Sequence, residues 1–83
     1  MARITRFDRV NKERHVVHSE TACNYSVFTD ERGTRYLQLD TIGSTDRKIV
    51  GKVSQSVQFD ERAARGLLGL LMEAFPGLTR ETE

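Results

Sequence analysis

The sequence lacks several features of secreted, membrane-embedded and multidomain proteins. Its single cysteine, Cys23, excludes an intramolecular disulfide and favours a reducing compartment such as the cytoplasm. No apolar run approaches the roughly 18 residues of a membrane span, and the first residues have no apolar signal-peptide core. With one proline and no low-complexity stretch, the chain has no recognisable linker. We therefore expect one cytoplasmic domain over residues 1–78 and a frayed polar tail over residues 79–83.

Motifs of catalysis and of metal binding are also missing. The chain has no glycine-rich phosphate loop, no nucleophile elbow and no recognisable catalytic His–Cys pair. His15 and His18 form an H-x-x-H pair, but Cys23 and the nearby carboxylates do not complete a metal-ligand spacing. We therefore expect no enzyme activity, no cofactor, no metal site and no small-molecule substrate. Cys23 itself is interpreted as a buried strand residue.

The chain has little net charge, but that charge is unevenly distributed. The formal value of +1 argues against an indiscriminate polyanion binder. Residues 1–59 contain ten Lys or Arg and seven Asp or Glu, whereas residues 60–83 contain three and five. The basic first part favours an anion-facing surface there. A chain this short buries only about 60–65% of its unfolded surface, so we also expect a homodimer.

Alternation of apolar and polar residues predicts four strands in the first three quarters of the chain. These strands span residues 4–10, 22–29, 35–41 and 52–59. Residues 30–33, Asp-Glu-Arg-Gly, are typical of a tight hairpin turn in which Gly33 adopts a positive φ. Residues 43–51 are polar and basic, and we expect them to form a loop before the last strand. We expect the four strands to form an antiparallel sheet.

Helical spacing of apolar residues predicts a single helix over residues 61–75. Its apolar stripe consists of Ala64, Leu67, Leu68, Leu71 and Phe75. Asp60 is a typical N-cap, because its carboxylate accepts hydrogen bonds from the free amides of the first turn. Pro76 ends the helix, since it disfavours a helical conformation at the residue before it. The predicted fold is therefore α+β, a four-stranded antiparallel sheet followed by one C-terminal helix.

One helix covers only one face of a four-stranded sheet, which leaves the other face solvated, paired with another subunit or used for binding. The side chains predicted on that face combine aromatic rings with amides, hydroxyls and basic groups. Single-stranded nucleic acid binds to such surfaces, because its bases stack on the rings while Lys and Arg neutralise its phosphates. The predicted nucleic-acid-binding residues are Arg9, Phe28, Tyr36, Gln38, Arg47, Lys48, Lys52, Ser54 and Gln58.

The same pattern allows other interpretations. Scattered serines and glutamines are also typical of any solvated strand face, and exposed aromatic residues also form dimer contacts. Gly66 and Gly69 each cost about 1 kcal/mol relative to alanine in a helix interior. They indicate either an exposed helix face or the close approach of another backbone. The alternative function is therefore a protein-interaction module, or accessory subunit, that uses the sheet edge or the Gly66/Gly69 helix face.

Part of the chain resembles a known family. The pattern includes Tyr25, the turn at residues 30–33, Tyr-Leu-Gln-Leu-Asp at 36–40, Gly-Lys at 51–52 and Ser-Val-Gln-Phe-Asp at 56–60. Over about residues 23–75, the sequence resembles the single-stranded DNA-binding domain of transcriptional positive cofactor four and its bacterial relatives. The chain departs from the family in having no tryptophan.

The resemblance implies four antiparallel strands, a C-terminal helix and a homodimer formed through helices and strands. It also implies that curved sheets grip single-stranded DNA with basic and aromatic side chains, in a transcription coactivator-like role. Carried over to this chain, the family pattern implies that Tyr36 stacks on bases and that Lys48 and Lys52 contact phosphates.

Overall fold

The computed structural model describes residues 1–43 and 53–78. Its elements are the strands β1 (Ala2–Ile4), β2 (Cys23–Thr29), β3 (Arg35–Ile42) and β4 (Val53–Phe59), followed by the helix α1 (Glu61–Ala74). The predicted α+β class, with a four-stranded sheet and one C-terminal helix, is therefore confirmed. The predicted tail at residues 79–83 and nearly all of the predicted basic loop lie outside the described residues.

Strands β2 and β3 form the antiparallel hairpin that the alternation pattern predicts, in a register that pairs Thr29 with Arg35. The Asp30 side chain organises the turn, because its Oδ1 accepts hydrogen bonds from the backbone N–H groups of Arg32 at 2.9 Å and Thr34 at 3.0 Å. Gly33 has a φ of 87°, in the left-handed region that side chains disfavour. The predicted turn and its glycine are confirmed.

The prediction of a fully antiparallel sheet is wrong at β1. The strand order is β1-β4-β3-β2, and β1 pairs with β4 in parallel, with Ile4 beside Phe59. Parallel neighbours end at the same edge of a sheet, so the chain leaves β1 at the edge where α1 begins. The following residues then run beside the helix: the Phe7 ring lies against Gly66, and the Arg9 guanidinium donates to Glu73. Residues 5–10 therefore do not continue the strand predicted over residues 4–10.

A β-bulge interrupts the pairing of β3 with β4. Thr41 pairs with Gln55 and Ile42 pairs with Val53, which leaves Ser54 as the extra residue on β4. The hydroxyl of Thr41 accepts a 3.2 Å hydrogen bond from the Gln55 backbone N–H beside the bulge. Beyond this point the register is regular up to Phe59, so the alternation of side chains on β4 holds from Gln55 onward.

Helix α1 begins and ends as its sequence predicts, within one residue. The Asp60 carboxylate accepts a 2.9 Å hydrogen bond from the backbone N–H of Ala63, which confirms the predicted N-cap. Phe75 is the C-cap, and its backbone N–H donates to the Leu71 carbonyl before Pro76 interrupts the pattern. Among the described residues, no helix has the length and apolar content needed to cross a membrane.

The core of the described chain is confined to the corner where β4 turns into α1. Phe59 is 6% exposed and Ala63 is 3% exposed, and these are the buried apolar residues of the described segments. The Asp60 cap holds the two residues close together across the strand–helix junction. In contrast, every residue of the edge strand β2 is exposed, so the prediction of a buried Cys23 is wrong.

Candidate nucleic-acid interface

The pairing register divides the sheet side chains into two faces. Directly opposed residues on neighbouring strands share a face, as do residues two apart on one strand. We call the hydrophilic side the polar sheet face. It consists of Arg3, Asn24, Ser26, Phe28, Tyr36, Gln38, Asp40, Ser56 and Gln58. The opposite side, which we call the helix-side face, includes Tyr25, Val27, Leu37, Leu39, Val57 and Phe59.

An aromatic pair lies at one end of the polar sheet face. Phe28 and Tyr36 are directly opposed on β2 and β3, and their rings stack with centroids 5.4 Å apart and an interplanar angle of 27°. The Tyr36 hydroxyl donates to Asp30 Oδ2 at 3.3 Å, which ties the ring to the hairpin turn. Phe28 is still 38% exposed, so the pair presents ring surface to solvent.

Next to the aromatic pair lies a hydrogen-bonded chain of polar side chains. Gln58 Nε2 donates to Gln38 Oε1 at 2.8 Å, and Gln38 Nε2 donates to Asp40 Oδ1 at 3.0 Å. The Ser56 hydroxyl donates to the same Asp40 oxygen. Because an ionised carboxylate only accepts hydrogen bonds, Asp40 forces Gln38 to present its nitrogen, and Gln38 in turn forces Gln58 to do the same. The orientations of both amides are therefore set by Asp40.

Arg3 lies beside this hydrogen-bonded chain, on the edge strand β1. The register places Ser26, Gln38, Gln58 and Arg3 in one row across the four strands. Arg3, Gln38, Ser56 and Gln58 line a concavity of about 440 Å³, together with Met1 and Ala2. No salt bridge joins Arg3 to another residue in the described segments.

The structure brings together four of the predicted site residues and separates two others from them. Phe28, Tyr36, Gln38 and Gln58 share the polar sheet face. Ser54 occupies the bulge and lines a different depression, together with residues such as His18 and Thr41. Arg47, Lys48 and Lys52 lie outside the described residues, so their predicted phosphate contacts stay predictions.

The prediction that Arg9 shares a sheet face with Tyr36 is wrong. Its guanidinium donates to Glu73 Oε2 at 2.8 Å on the helix, where both side chains are largely exposed. The physical reason is the short, parallel β1, which ends at Ile4 and sends the chain along α1. Arg3 provides the cation of this edge instead. Sequence reasoning missed Arg3 because the alternation pattern placed the first strand after it.

The helix-side face is incompletely covered by this one chain. Tyr25 is 75% exposed and Val27 is 48% exposed, so the helix does not cover these two side chains of β2. On α1 itself, three of the five residues of the predicted apolar stripe are exposed and form a row with Met72. We call this row the outer helix stripe, and it consists of Leu68, Leu71, Met72 and Phe75. Its spacing of three and four residues is that of a helix-packing seam.

The two helix glycines have different surroundings. A Cβ on Gly66 would lie 3.2 Å from Cδ2 of Phe7, so a segment of the same chain already approaches that position closely. A Cβ on Gly69 would meet no atom within 4 Å. The close neighbour of Gly66 is therefore the side chain of Phe7 and not another backbone, whereas Gly69 lies on an open part of the helix.

Comparison with protein-family models, with curated proteins and with solved structures found no match to this chain. In the described segments, no group of three or more His, Cys, Asp or Glu side chains is placed to hold a metal ion. The functional conclusion therefore depends on the polar sheet face and on the uncovered apolar surface.

Proposed function

We propose that this chain is a non-catalytic, cytoplasmic module that binds single-stranded nucleic acid, DNA in particular, on its polar sheet face and acts as a homodimer. The observation that carries the proposal is the stacked Phe28–Tyr36 pair beside the fixed amides of Gln38 and Gln58. Exposed ring surface beside oriented amides suits unpaired bases, which offer both a stacking face and hydrogen-bonding edges.

The charges of this chain support the binding of a single strand whose phosphates are neutralised by a small number of Lys and Arg side chains. In the described residues, the charged groups of the polar sheet face are Arg3 and Asp40, which offset each other. Net attraction for phosphates therefore depends on the sequence-predicted cations Arg47, Lys48 and Lys52. We expect moderate affinity with a shallow salt dependence, since the slope follows the number of phosphates neutralised.

Uncovered apolar surface supports the homodimer. The outer helix stripe and the side chains of Tyr25 and Val27 expose apolar surface on the helix side of the sheet. A second copy that covers these residues would leave the polar sheet faces of both copies open.

A salt-dependent titration tests the proposal. A labelled oligo-dT is titrated with the protein at low and moderate salt, and fluorescence anisotropy reports binding. We expect binding at low salt that weakens as salt is raised, with Lys48→Ala reducing the log–log slope by about 0.7. Arg62→Ala, an exposed arginine on α1, is the matched control and should leave the slope unchanged. Absence of binding at low salt, or binding indifferent to salt, contradicts the proposal.

The protein-interaction alternative is favoured by one observation, the exposed apolar stripe next to the open position at Gly69. Under this alternative, Gly69→Leu abolishes partner binding, and reversing the charges of Arg47, Lys48 and Lys52 has no effect. Gly66 is unsuitable for the test, because a larger residue there collides with Phe7 of the same chain. A Gly69→Leu variant that assembles and functions normally contradicts the alternative.

A further inference from the structure

The concavity beside Arg3 has a donor and acceptor arrangement that the general binding of a single strand does not require. Arg3 lies directly across from Gln58 at the β1–β4 pair, and both side chains line the same depression of about 440 Å³. A guanidinium presents several N–H donors in a rigid planar fork. Next to it, the Gln58 amide provides an oxygen acceptor.

The hydrogen-bonded chain determines which end of the Gln58 amide is available. Gln58 Nε2 donates to Gln38 Oε1, whose own nitrogen is held by Asp40. Gln58 Oε1 therefore lies on the other side of the amide from this bond. Reversing the Gln58 amide would set its oxygen against the Gln38 oxygen, which is repulsive, so the acceptor is locked in position. Asp40 acts here as a positioning residue, through Gln38.

We propose that Arg3 and Gln58 form a pocket that prefers guanine, in the single strand that the polar sheet face is proposed to bind. Guanine has two adjacent acceptors, O6 and N7, which match the forked donors of an arginine. Its N1–H lies next to O6 and is a donor for the locked Gln58 Oε1. This inference rests on the proposed function and specifies which base the site selects.

Adenine and thymine match this arrangement less well. Adenine presents its N6 amino donors where guanine has O6, so they face the donors of Arg3. Thymine has no second acceptor corresponding to N7 beside its O4. An unpaired cytosine has two adjacent acceptors, O2 and N3, next to its amino donor, so the preference is expected against adenine and thymine. A buried or partly buried polar group left without its partner weakens binding, and this mismatch is the physical basis of the preference.

The neighbouring aromatic pair suits a base adjacent to the guanine. Tyr36 and Gln38 are two residues apart on β3 and therefore about 7 Å apart along one face. One nucleotide of an extended strand spans such a separation, so one base stacks on Tyr36 while the next reaches the Gln38–Gln58 row. The pocket thus continues the surface that carries the proposed function.

Substituted oligonucleotides test the pocket separately from the proposed function. Labelled oligo-dT strands carrying one central dG, dA or dC are compared with the unsubstituted strand at one low salt concentration. We expect the dG strand to bind on the order of 5-fold or more tightly than the dA strand. If all strands bind equally, the guanine pocket is wrong and the proposed function stands. If none binds, both are wrong.

Three variants assign the preference to named side chains. Arg3→Ala should abolish the ratio between the affinities for the dG and dA strands, and it should lower the affinity for oligo-dT only slightly. Arg6→Ala, an exposed arginine three residues away that pairs with Asp8, should keep the full ratio. Asp40→Asn should reduce the ratio, since an amide at this position no longer forces the Gln38 orientation. Unfolding midpoints near that of the unsubstituted chain show that the variants are folded.

Retention of the dG over dA ratio in Arg3→Ala overturns the proposal. Competition with free guanosine monophosphate distinguishes a guanine within a strand from a free nucleotide. We expect little displacement of the dG strand, because a free nucleotide has no neighbouring base to stack on Tyr36. If free guanosine monophosphate binds as tightly as the dG strand, the pocket serves a nucleotide ligand and the strand-bound assignment is overturned.

Discussion

One copy of the chain satisfies the two faces of this sheet to different extents, by hydrogen bonds on one face and by apolar burial on the other. On the polar sheet face, Gln38, Asp40, Ser56 and Gln58 satisfy one another through short hydrogen bonds. Among the described residues of the helix-side face, Phe59 is buried, whereas Tyr25 and Val27 remain exposed. The polar side is thus ordered by direct local bonds, whereas the apolar side has more apolar surface than its single helix covers.

This difference follows from the nature of the interactions involved. A hydrogen bond between directly opposed strand residues requires only the two neighbouring strands, so it forms as soon as the register is set. Apolar burial requires a covering layer, and a helix of 14 residues covers only part of a four-stranded sheet. The partly covered apolar face and the hydrogen-bonded part of the polar sheet face are therefore expected to respond differently to substitution.

The largest expected effect is at the small core. Phe59→Ala should lower the free energy of unfolding by about 3–5 kcal/mol, because it removes the most buried large side chain and leaves a cavity. Such a loss is comparable to the whole stability of a chain of this length. Urea denaturation followed by circular dichroism measures it. The control is Phe28→Ala on the polar sheet face, which should lose clearly less; equal losses would contradict the asymmetry of the faces.

The uncovered apolar surface should control assembly. Leu68→Glu in the outer helix stripe should weaken the homodimer on the order of 30-fold or more, since a charge there must be desolvated at the contact. Sedimentation velocity over a range of concentrations measures the dissociation constant. Arg62→Glu, on an exposed part of the same helix, is the control and should leave the constant nearly unchanged. An unaltered dimer in Leu68→Glu places the contact elsewhere.

Two tyrosines on opposite faces separate binding from assembly. Tyr36→Ala should weaken single-strand binding by about 1–3 kcal/mol, the contribution of one stacked base, and Tyr36→Phe should retain most of the affinity. Tyr25→Ala, on the helix-side face, should leave the affinity of the assembled protein unchanged. Anisotropy titrations at protein concentrations above the assembly range compare them. If Tyr25→Ala weakens binding as much as Tyr36→Ala, the assignment of the faces is wrong.

The smallest predicted change tests the junction between sheet and helix. Asp60→Ala removes the N-cap and should lower the free energy of unfolding by about 1 kcal/mol. Arg65→Ala breaks the exposed ion pair with Glu61 in the same helix and should cost less than about 0.5 kcal/mol. Thermal unfolding of both variants under identical conditions measures the difference. A larger loss from Arg65→Ala than from Asp60→Ala would contradict the capping role.

Local chemistry made much of the fold predictable. Gly33 and Asp30 indicated the hairpin turn, and Asp60 and Pro76 indicated the helix ends, because each acts through bonds to residues at most four positions away. Alternation on β3 and β4 also grouped Tyr36, Gln38 and Gln58 correctly. The direction of β1 was not predictable in this way, since a period of two is the same for parallel and antiparallel neighbours.

The sequence by itself therefore determined the strands β2, β3 and β4, the turn, the helix and the alternation that separates polar from apolar side chains. These features depend on short-range propensities and on periodicity. Only the tertiary structure decided that Arg3 is paired with Gln58 in the sheet, that Arg9 bonds to the helix and that Ser54 leaves the regular register. Such pairings depend on strand order and register, which are set by the packing of distant segments against one another.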